Sequence, residues 1–165
     1  MLVLDVDGVL SDGRISYTSD GQEIKSFHIQ DGLGIKLLMN AGIEVGIITG
    51  RISAMVARRS EELGIETLIQ GREDKLAALE EMLSNKPYGL ESVAYLGDDL
   101  PDYLAIKHAG FGMAPADAHS EILQIADWVS ARDGGRGAVR DACDLLMKEK
   151  NLYQMATSHF KDDIR

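Results

Sequence analysis

The 165-residue chain has a single cysteine, Cys143, which excludes an internal disulfide framework. Disulfides are rare in reducing compartments but frequent in secreted proteins, so this scarcity favours a cytoplasmic protein. The chain also lacks an apolar run long enough to span a membrane, and its first residues lack the basic segment of a signal peptide. We therefore expect a protein with no membrane partner and no leader peptide.

Basic residues are scarce as well. The chain has 17 lysines and arginines against 27 aspartates and glutamates, a formal net charge of −10. This surplus of negative charge would repel the phosphates of a nucleic acid, so we expect no nucleic-acid partner. A small phosphate ester would need cations concentrated locally, from a metal ion and a few lysines or arginines. The positions of the basic residues are therefore informative.

The chain is organised around its start, where the apolar run 2–4 leads into two aspartates, Asp5 and Asp7, and a glycine. Apolar residues without polar alternation indicate a strand buried on both faces of a parallel sheet. Such a strand delivers the next residues to the carboxyl edge of the sheet, where open α/β folds bind ligands. Two adjacent carboxylates repel each other unless a cation or a shared proton intervenes, which suggests a metal and a reaction. The alternative is a simple Asp-Gly turn that closes a strand, and these residues alone favour neither.

A hairpin is predicted directly after this strand. Residues 14–18 and 23–29 alternate polar with apolar or aromatic side chains, and they flank the turn sequence Ser19-Asp20-Gly21-Gln22. The hairpin is too short for a lid domain, so we expect it to act as a flap beside the two aspartates or as an oligomer contact. A lone two-stranded hairpin is marginally stable in water, which favours packing against a partner subunit.

The rest of the chain alternates strands with helices. We expect strands at 44–48, 66–69, 91–96, 111–113 and 128–130, and helices at 31–42, 53–63, 73–83, 121–126 and 138–148, with a further helix ending at Ala109. This order predicts a three-layer, Rossmann-like α/β sandwich with a mainly parallel sheet. We expect the glycine-rich segment 134–137 to be a flexible loop or an anion-binding turn. We assign residues 1–150 to a single domain with the flap at 14–29, and residues 151–165 to a polar, weakly patterned tail.

Polar side chains gather where three of the predicted strands end. They are Asp5 and Asp7 after the first strand, Thr49, Gly50 and Arg51 after the second, and Asp98, Asp99 and Asp102 after the strand at 91–96. Parallel strands bring their carboxyl ends to one edge, so these groups can converge with Lys75 at the start of a helix. Carboxylates without softer ligands suit a hard cation that keeps its waters, hence Mg²⁺ rather than Zn²⁺. Each motif alone is weak evidence, because acidic loops after strands are common and a lysine at a helix start is usually solvated. Their joint occurrence predicts an active site.

These residue types suit phosphoryl transfer. With Mg²⁺ between Asp5 and Asp98 neutralising a bound phosphoryl group, the carboxylate of Asp5 is free to attack phosphorus. The other phosphoryl oxygens would be held by the Thr49 hydroxyl, the Gly50 amide and the Lys75 ammonium. Asp7 would protonate the departing alkoxide and then take a proton from the water that hydrolyses the aspartyl-phosphate.

The same residues resemble the four motifs of the haloacid dehalogenase superfamily. The segment 5–9 is similar to the first motif, Thr49 to the second, Lys75 to the third, and 97–99 with Asp102 to the fourth. The second aspartate of the first motif implies a phosphatase, since dehalogenases of the superfamily lack it. Longer segments resemble the 3-deoxy-D-manno-octulosonate 8-phosphate (KDO 8-phosphate) phosphatases, namely 5–13, 25–32, 47–51, 97–102, 116–119 and 134–140. The likeness covers nearly the whole chain.

This resemblance implies a magnesium-dependent KDO 8-phosphate phosphatase of bacterial lipopolysaccharide synthesis that works through a phosphoaspartate. It implies a capless homotetramer with the hairpin at its centre, in which a neighbouring subunit helps to close each site. It assigns catalysis to Asp5, Asp7, Thr49 and Lys75, and the metal to Asp5, Asp7 and Asp98. The implied substrate contacts are His28, Ile29, Gln30, Asp31, Gly32, Lys36, Gly50, Arg51 and Arg59, together with Asp7, Thr49 and Lys75. Cations at 36, 51 and 59 suit a substrate that carries a carboxylate as well as a phosphate.

Two features depart from the family pattern. The family usually has further residues before the first strand, whereas Asp5 is here the fifth residue. The segment 151–165 also lacks a clear match to the family's sequence pattern.

Three alternatives remain at this point. A relative acting on a nine-carbon, sialic-acid-type sugar phosphate, or a broader sugar phosphatase, would carry the same motifs. A non-catalytic phospho-acceptor such as a receiver domain also uses aspartates, a threonine and a lysine, but its acceptor lies on a mid-chain strand without a second aspartate two residues later. A catalytically silent scaffold of the same fold is disfavoured by the intact set Asp5, Asp7, Lys75 and Asp98.

Overall fold

The computed structural model describes residues 1–161. Eight strands lie in this range, β1 (Leu2–Leu4), β2 (Ser16–Tyr17), β3 (Glu23–Ile24), β4 (Val45–Thr49), β5 (Thr67–Gln70), β6 (Ala94–Leu96), β7 (Phe111–Ala114) and β8 (Trp128–Val129). Its seven α-helices are α1 (Ile29–Asn40), α2 (Ala54–Leu63), α3 (Lys75–Leu83), α4 (Tyr103–His108), α5 (Ser120–Ile125), α6 (Ala138–Glu149) and α7 (Tyr153–Thr157). Residues 1–161 also contain single turns of 3₁₀ helix at Leu90–Ser92, Leu100–Asp102 and Ser158–Phe160.

Six of the strands form one parallel sheet in the order β5-β4-β1-β6-β7-β8. In its register Leu4 of β1 lies between Ile47 of β4 and Leu96 of β6. The β1 strand is therefore central. It is flanked by β4, which ends at Thr49, and by β6, which precedes the acidic loop at 98–102. Since all six strands are parallel, the residues that follow β1, β4 and β6 leave the sheet at one edge. This confirms the predicted α/β fold with a mainly parallel sheet.

The side chains of the central strand alternate between two apolar cores. Leu2 and Leu4 are buried in a core that also contains residues of α1, α2 and α6. Val3 points to the opposite face, where it packs with residues of α3, α4 and α5. A strand covered on both faces has no solvated side, which is why the sequence of β1 is an apolar run rather than an alternating pattern. The predicted three layers are present.

The α1, α2, α3, α5 and α6 helices begin and end within two residues of the predicted positions, and α4 ends one residue before the predicted Ala109. The α2 helix ends at Leu63, and the φ of +80° at the following residue, Gly64, suits a left-handed C-cap. The α3 helix begins at Lys75, which places this lysine at the very head of the helix. The longest helices, α1 and α6, have 12 residues each, and within residues 1–161 no helix is both long and apolar enough to cross a membrane.

The predicted flap is a hairpin with shorter strands than expected. The β2 and β3 strands have two residues each and pair antiparallel as a separate small sheet. The sequence pattern predicted strands at 14–18 and 23–29. Pairing ends early because the chain after β3 turns toward the body of the molecule, where Lys25 contacts Asp7 and Phe27 packs against the first core.

The C-terminal tail is more ordered than its weak pattern suggested. Leu152, Tyr153 and Ala156 pack against the first core, and α7 lies against α1 and α6. A five-residue helix owes its stability to such tertiary contacts rather than to its own propensity, so its sequence carries little periodic signal. Residues 162–165 of the predicted tail lie outside the described residues.

Candidate active site

A cavity of about 320 Å³ opens at the carboxyl edge of the sheet. Its walls come from four distant segments of the chain, namely the loop after β1, the end of β4, the head of α3 and the loop after β6. The predicted site residues that line it are Asp5, Asp7, Thr49, Gly50, Arg51, Lys75 and Asp98. The parallel sheet thus brings together the groups that the sequence placed at its strand ends.

A buried ion network surrounds Lys75 at the floor of this cavity. The Lys75 Nζ lies 2.8 Å from Oδ1 of Asp5 and 2.9 Å from Oδ1 of Asp102. The hydroxyl of Tyr95, in the buried middle of β6, donates to the same Asp102 oxygen at 2.8 Å. A cation at the head of a helix is opposed by the helix dipole, and burying it is costly unless it is paired. The two carboxylates therefore hold Lys75 where it is.

Burial gives this network unusual acid–base properties. Burial, together with the carboxylates of Asp5 and Asp102, raises the pKa of Asp98 to about 8. Burial also raises the pKa of Asp5, with a contribution from Asp102 and against the opposing charge of Lys75. Burial acts to lower the pKa of Lys75, but Asp102 and Asp5 outweigh it and raise that pKa. Burial and the nearby carboxylates raise the pKa of Tyr95 well above its usual range, so its hydroxyl stays a hydrogen-bond donor.

The acidic cluster fits a hard divalent cation. One oxygen each of Asp5, Asp98 and Asp102 lies within 4.8 Å of the others. Oδ1 of Asp98 is buried and, within the described part of the chain, has no hydrogen-bond partner, which is rare for a carboxylate oxygen in a folded protein. The three carboxylates can carry more negative charge than the single ammonium of Lys75 balances. Such a set of oxygen ligands suits Mg²⁺. Asp5 and Asp98 of this cluster are two of the three metal ligands that the resemblance implied, the third being Asp7, and their assignment to the metal stays a prediction.

Asp7 faces other partners than Asp5 does. Its Oδ1 accepts hydrogen bonds from the ammonium of Lys25 and, at 3.3 Å, from the hydroxyl of Ser11. The Nε of Arg51 lies 3.8 Å from its Oδ2. Asp7 thus lines the cavity but does not belong to the three-carboxylate cluster, and its assignment to the metal stays a prediction.

The flap is connected to the cavity through charged side chains. Glu23 of β3 accepts hydrogen bonds from Nη2 of Arg51 and from the hydroxyl of Ser53, both at 2.9 Å. The Lys25 side chain, just after β3, is 2% exposed and reaches Asp7. These contacts explain why Arg51 and Asp7 are held at the cavity rim on the side of the flap.

Two buried side chains that contact the site residues, Lys25 and Tyr95, were absent from the predicted site. Lys25 lies in an alternating segment, where a buried lysine has the same sequence pattern as a solvated one. Tyr95 interrupts an apolar strand, and a buried phenol needs a partner for its hydroxyl, so this position did carry a signal. Only the structure shows that the partner is Asp102.

Seven predicted substrate contacts lie outside the cavity lining, namely His28, Ile29, Gln30, Asp31, Gly32, Lys36 and Arg59. Six of them belong to α1 or to the residue before it. Gln30 accepts a hydrogen bond from Nη1 of Arg132 at 3.1 Å, and the buried Asp31 accepts one from the backbone N–H of Arg140 at 2.8 Å. In the described chain these two side chains connect the start of α1 to the segment around the start of α6.

A second cavity, of about 290 Å³, lies beside the flap. Lys25, Phe27, Ile29 and Arg59 contribute to its lining, and the Arg59 guanidinium carbon is 5.8 Å from the centre of the Phe27 ring. Lys25 connects the two cavities, since it contributes to the lining of the second and its ammonium binds Asp7, which lines the first. The substrate contacts assigned to Ile29 and Arg59 stay predictions.

The glycine-rich loop at 134–137 supports the aspartate loop instead of offering free amides to an anion. The N–H of Gly134 donates to the carboxylate of Asp117 and that of Gly135 to the carbonyl of Val9, both at 2.8 Å. A Cβ atom on Gly134 would lie 1.8 Å from the carbonyl oxygen of Gly8, and one on Gly8 would lie 2.0 Å from Oδ2 of Asp98. The two glycines therefore allow the glycine-rich loop to lie against the backbone at Gly8, and Gly8 to lie against the side chain of Asp98. The expectation of an anion-binding turn is wrong for these two amides, because internal acceptors occupy them.

Comparison with known sequences identifies the family. Residues 68–140 match the family model of haloacid dehalogenase-like hydrolases. The chain is 47% identical over 147 residues to the 3-deoxy-D-manno-octulosonate 8-phosphate phosphatase KdsC of Escherichia coli K12, an alignment that covers 89% of this chain and 78% of that protein. It is 44% identical over 157 residues to KdsC of Yersinia pestis, covering 95% of this chain and 84% of that protein.

Solved structures agree with the sequence comparison. The 3-deoxy-D-manno-octulosonate 8-phosphate phosphatase of Moraxella catarrhalis, in complex with magnesium, phosphate and KDO, is similar with a TM-score of 0.94 and 45% identity, over 96% of this chain and 91% of that one. The cobalt-bound deoxy-D-mannose-octulosonate 8-phosphate phosphatase of Haemophilus influenzae is similar with a TM-score of 0.89 and 38% identity, over 93% and 90% of the two chains. Identity at this level over nearly the whole chain confirms the resemblance seen in the motifs. The chain belongs to the KDO 8-phosphate phosphatase (KdsC) family of haloacid dehalogenase-like hydrolases.

Proposed function

We propose that this chain is a magnesium-dependent phosphatase of lipopolysaccharide biosynthesis that hydrolyses KDO 8-phosphate to KDO and phosphate through a phosphoaspartate on Asp5. The observation that carries the proposal is the position of Asp5, which lies 2.8 Å from Lys75 and within the acidic cluster that fits a cation. The names of the relatives and the Moraxella complex with magnesium, phosphate and KDO support the substrate and the metal. A carboxylate nucleophile and the groups that balance its charge share one cavity.

Asp5 is the proposed nucleophile. Its carboxylate oxygen forms a bond to phosphorus while the bond from phosphorus to the sugar oxygen breaks. A Mg²⁺ ion held by Asp5 and Asp98 would neutralise phosphoryl charge, so that the carboxylate and the phosphoryl oxygens repel each other less. The remaining phosphoryl oxygens are assigned to the ammonium of Lys75, the hydroxyl of Thr49 and the amide of Gly50. Thr49 is buried at the end of β4, so the sheet itself orients this hydroxyl.

Asp7 is the proposed general acid and base. It lines the cavity two residues after the nucleophile, with Lys25, Ser11 and Arg51 around its carboxylate. In the first step it gives a proton to the departing sugar alkoxide. In the second step it takes a proton from the water that attacks the phosphoaspartate, which returns Asp5 as a carboxylate and Asp7 to its protonated form.

Recognition of the sugar acid requires further cations, because the substrate carries a carboxylate as well as the phosphate. We assign this role to Arg51 at the cavity, to Lys36 and Arg59, and to the segment 28–32. Arg51 lines the cavity, whereas Arg59 lines the second cavity beside the flap. This separation supports a substrate that extends past the flap, in a site that a neighbouring subunit completes.

We also propose that the chain forms a homotetramer with the flap at its centre. The flap exposes Ile15, Tyr17 and Ile24, and Ile52 beside the cavity is 81% exposed. Exposed apolar side chains that cluster on one small element are typical of interfaces, and a free hairpin is marginally stable. Sedimentation equilibrium should therefore give four times the chain mass of 18.0 kDa, and Tyr17→Glu should lower it. A monomeric unmodified chain would contradict this proposal.

The domain limits and the location are proposals of the same kind. We propose residues 1–150 as the catalytic domain with 14–29 as its flap, residues 151–165 as an appended tail, and the cytoplasm as the location. The buried thiol of Cys143 supports a reducing compartment. A chain that ends at residue 150 should keep its turnover but unfold at a lower temperature, because it loses the contacts of Leu152 and Tyr153 with the core. Cell fractionation tests the location.

The first alternative keeps the chemistry and changes the substrate to a nine-carbon, sialic-acid-type phosphate or to a broader set of sugar phosphates. The second alternative, from another class, is a non-catalytic phospho-acceptor or scaffold domain. One cavity is lined by all four residues of the catalytic set, namely Asp5, Asp7, Lys75 and Asp98. This disfavours the second alternative.

Phosphate release from a panel of substrates tests these possibilities together. The panel contains KDO 8-phosphate, a nine-carbon sugar-acid phosphate and glucose 6-phosphate, each with Mg²⁺ and with EDTA. We expect Mg²⁺-dependent release with kcat/KM highest for the eight-carbon substrate, and no release by Asp5→Asn. A preference for the nine-carbon substrate would favour the first alternative, and the absence of Mg²⁺-dependent release from every substrate would favour the second.

A further inference from the structure

Asp102 has two competing uses in this structure. One of its oxygens lies within 4.8 Å of oxygens of Asp5 and Asp98, so geometry alone offers a cation three carboxylates. Its Oδ1, however, already accepts hydrogen bonds from Nζ of Lys75 at 2.9 Å and from the hydroxyl of Tyr95 at 2.8 Å. Its Oδ2 accepts the backbone N–H groups of Asp98 and Asp99 at 3.2 and 3.4 Å. Both oxygens of Asp102 are therefore engaged, unlike Oδ1 of Asp98, which has no partner among the described residues.

The position of Tyr95 in the sheet makes its hydroxyl a rigid donor. The residue is fully buried at the middle of β6, in register with Val3 of β1 and Gly112 of β7. Its ring packs in the second core with side chains of α3 and α4. A ring held on both sides cannot move its hydroxyl, so the direction of the donated hydrogen bond determines the orientation of the Asp102 carboxylate.

We propose that Tyr95 is a positioning residue that commits Asp102 to Lys75 and withholds it from the metal. The inference rests on the proposed function, in which Lys75 holds a phosphoryl oxygen and Asp5 and Asp98 hold Mg²⁺. With Asp102 held in this orientation, Lys75 is placed between Asp102 and the nucleophile Asp5. The bare oxygen of Asp98 is then the one that faces a cation.

Removal of the Tyr95 hydroxyl should therefore change two properties in opposite directions. In Tyr95→Phe the ring still fills the core, but Asp102 loses one of its two Oδ1 donors and gains freedom to turn toward Asp5 and Asp98. A third carboxylate would then reach the cation, so Mg²⁺ should bind about threefold more tightly or better. Lys75 would lose part of its support, so kcat should fall about tenfold, the usual effect of one hydrogen bond to a charged group.

Titration calorimetry of Mg²⁺ in the absence of substrate, together with steady-state kinetics, tests this inference. Tyr88→Phe is the matched control, because the Tyr88 hydroxyl donates to the Glu44 carboxylate at the same distance of 2.8 Å but outside the cavity lining. We expect Tyr88→Phe to leave metal affinity and kcat unchanged. In the double variant Tyr95→Phe/Asp102→Asn the gain in metal affinity should disappear, since an amide is a weaker ligand than a carboxylate.

Several outcomes would overturn the inference. Unchanged or weaker Mg²⁺ binding by Tyr95→Phe shows that the hydroxyl does not keep Asp102 from the metal, whatever happens to kcat. Asp98→Asn and Asp102→Asn in the otherwise unmodified chain give a second measurement that does not depend on the Tyr95 variant folding. Asp98→Asn should weaken Mg²⁺ binding far more than Asp102→Asn, and equal losses would reject the assignment. Failure of the proposed function appears separately, as absent phosphate release by the unmodified chain, because the metal titration uses no substrate.

Discussion

The ammonium of Lys25, carried just after the second strand of the flap, is hydrogen-bonded to Oδ1 of Asp7, the aspartate assigned to acid–base catalysis. The Lys25 side chain is 2% exposed, and a buried ammonium is costly unless it is paired, so the contact with Asp7 is the ion pair that offsets its burial. The flap and the acid–base group are thereby directly connected. A displacement of the flap would move the ammonium of Lys25 away from Asp7. The other positive charges at the cavity, on Arg51 and Lys75, do not belong to the flap.

Lys25→Met should lower kcat about tenfold or more, because Asp7 loses the partner that orients it and keeps only Ser11 and the more distant Arg51. Methionine retains an unbranched apolar chain at this position, which contributes to the lining of the second cavity. Steady-state kinetics with KDO 8-phosphate measures the effect. Mg²⁺ binding should change little, since Lys25 does not contact the acidic cluster.

The control for this variant is Lys86→Met. Lys86 forms an ion pair with Glu44 that does not line the active-site cavity. Its removal should leave kcat unchanged, as expected for an exposed pair. Equal turnover by Lys25→Met and Lys86→Met would show that the flap lysine does not support Asp7.

Asp7→Asn should accumulate a phosphorylated enzyme. The amide can neither protonate the leaving alkoxide nor take a proton from the attacking water, so both steps slow by about 100-fold or more. If the second step is affected more, intact-protein mass spectrometry after mixing with substrate will show an added phosphoryl group. Asp5→Asn should show none. Full turnover by Asp7→Asn would remove this residue from the mechanism.

Gly134→Ala should reduce turnover from a position outside the cavity lining. Its Cβ would lie 1.8 Å from the carbonyl oxygen of Gly8, so the loop that carries Asp7 must shift away. We expect a loss of about 1–3 kcal/mol in the free energy of unfolding, as for other overpacked sites, together with a lower kcat. Denaturant unfolding and kinetics measure the two effects.

Gly42→Ala separates instability from loss of function. Gly42 has a φ of +88° with open space around it, so alanine there strains the backbone without crowding a neighbour. It should cost about 1 kcal/mol of stability and leave kcat unchanged. A similar fall in kcat for both glycine variants would mean that the Gly134 effect is only a general destabilisation.

In the metal-free protein, the contribution of Asp98 to stability should fall as the pH rises. Folding raises the pKa of Asp98 from the ordinary 3.8 to about 8, mainly by burial. Between these values the folded state binds more protons than the unfolded state, so this contribution to stability is complete below pH 3.8 and is lost as the pH rises through about 8. Asparagine does not titrate. In EDTA the melting temperature of Asp98→Asn, relative to that of the unmodified chain, should therefore increase with pH. A constant difference would contradict the raised pKa.

Added Mg²⁺ should reverse this trend. The cation binds the ionised carboxylate, so below a pH of about 8 each ion bound displaces the proton of Asp98. Affinity should weaken roughly tenfold for each unit of pH below that value, and the rise in melting temperature with Mg²⁺ should be larger at high pH. Calorimetry in two buffers of different ionisation enthalpy counts the released protons. Equal affinity across this range would contradict the prediction.

The parallel sheet and the convergence of its strand ends were predictable from local sequence. The apolar run before Asp5 indicates a strand covered on both faces, and Thr49 and Asp98 follow strands of the same kind. Once strands alternate with helices, their carboxyl ends must share an edge, so the approach of these residues follows from topology. No knowledge of individual contacts is needed for that step.

The contacts inside the site were not predictable in the same way. Whether Lys25 is solvated or buried against Asp7 depends on the path of the chain after β3, and the alternating pattern is the same in both cases. The α7 helix was missed because a single turn is stabilised by packing rather than by its own periodicity. The separation of Arg59 and the start of α1 from the cavity likewise has no signature in the sequence.

By itself the sequence determined the layered α/β architecture, the order of the acidic, threonine and lysine motifs along the chain, and the family to which they point. Periodicity and motif spacing are properties of residues that are close together in the chain, so they can be recognised from the sequence alone. Only the tertiary structure decided which carboxylate partners Lys75, which oxygen of Asp98 is left bare, and which flap residue binds Asp7. These contacts depend on packing between residues far apart in the chain. A side chain there can exchange one hydrogen-bond partner for another without any change in the sequence pattern around it.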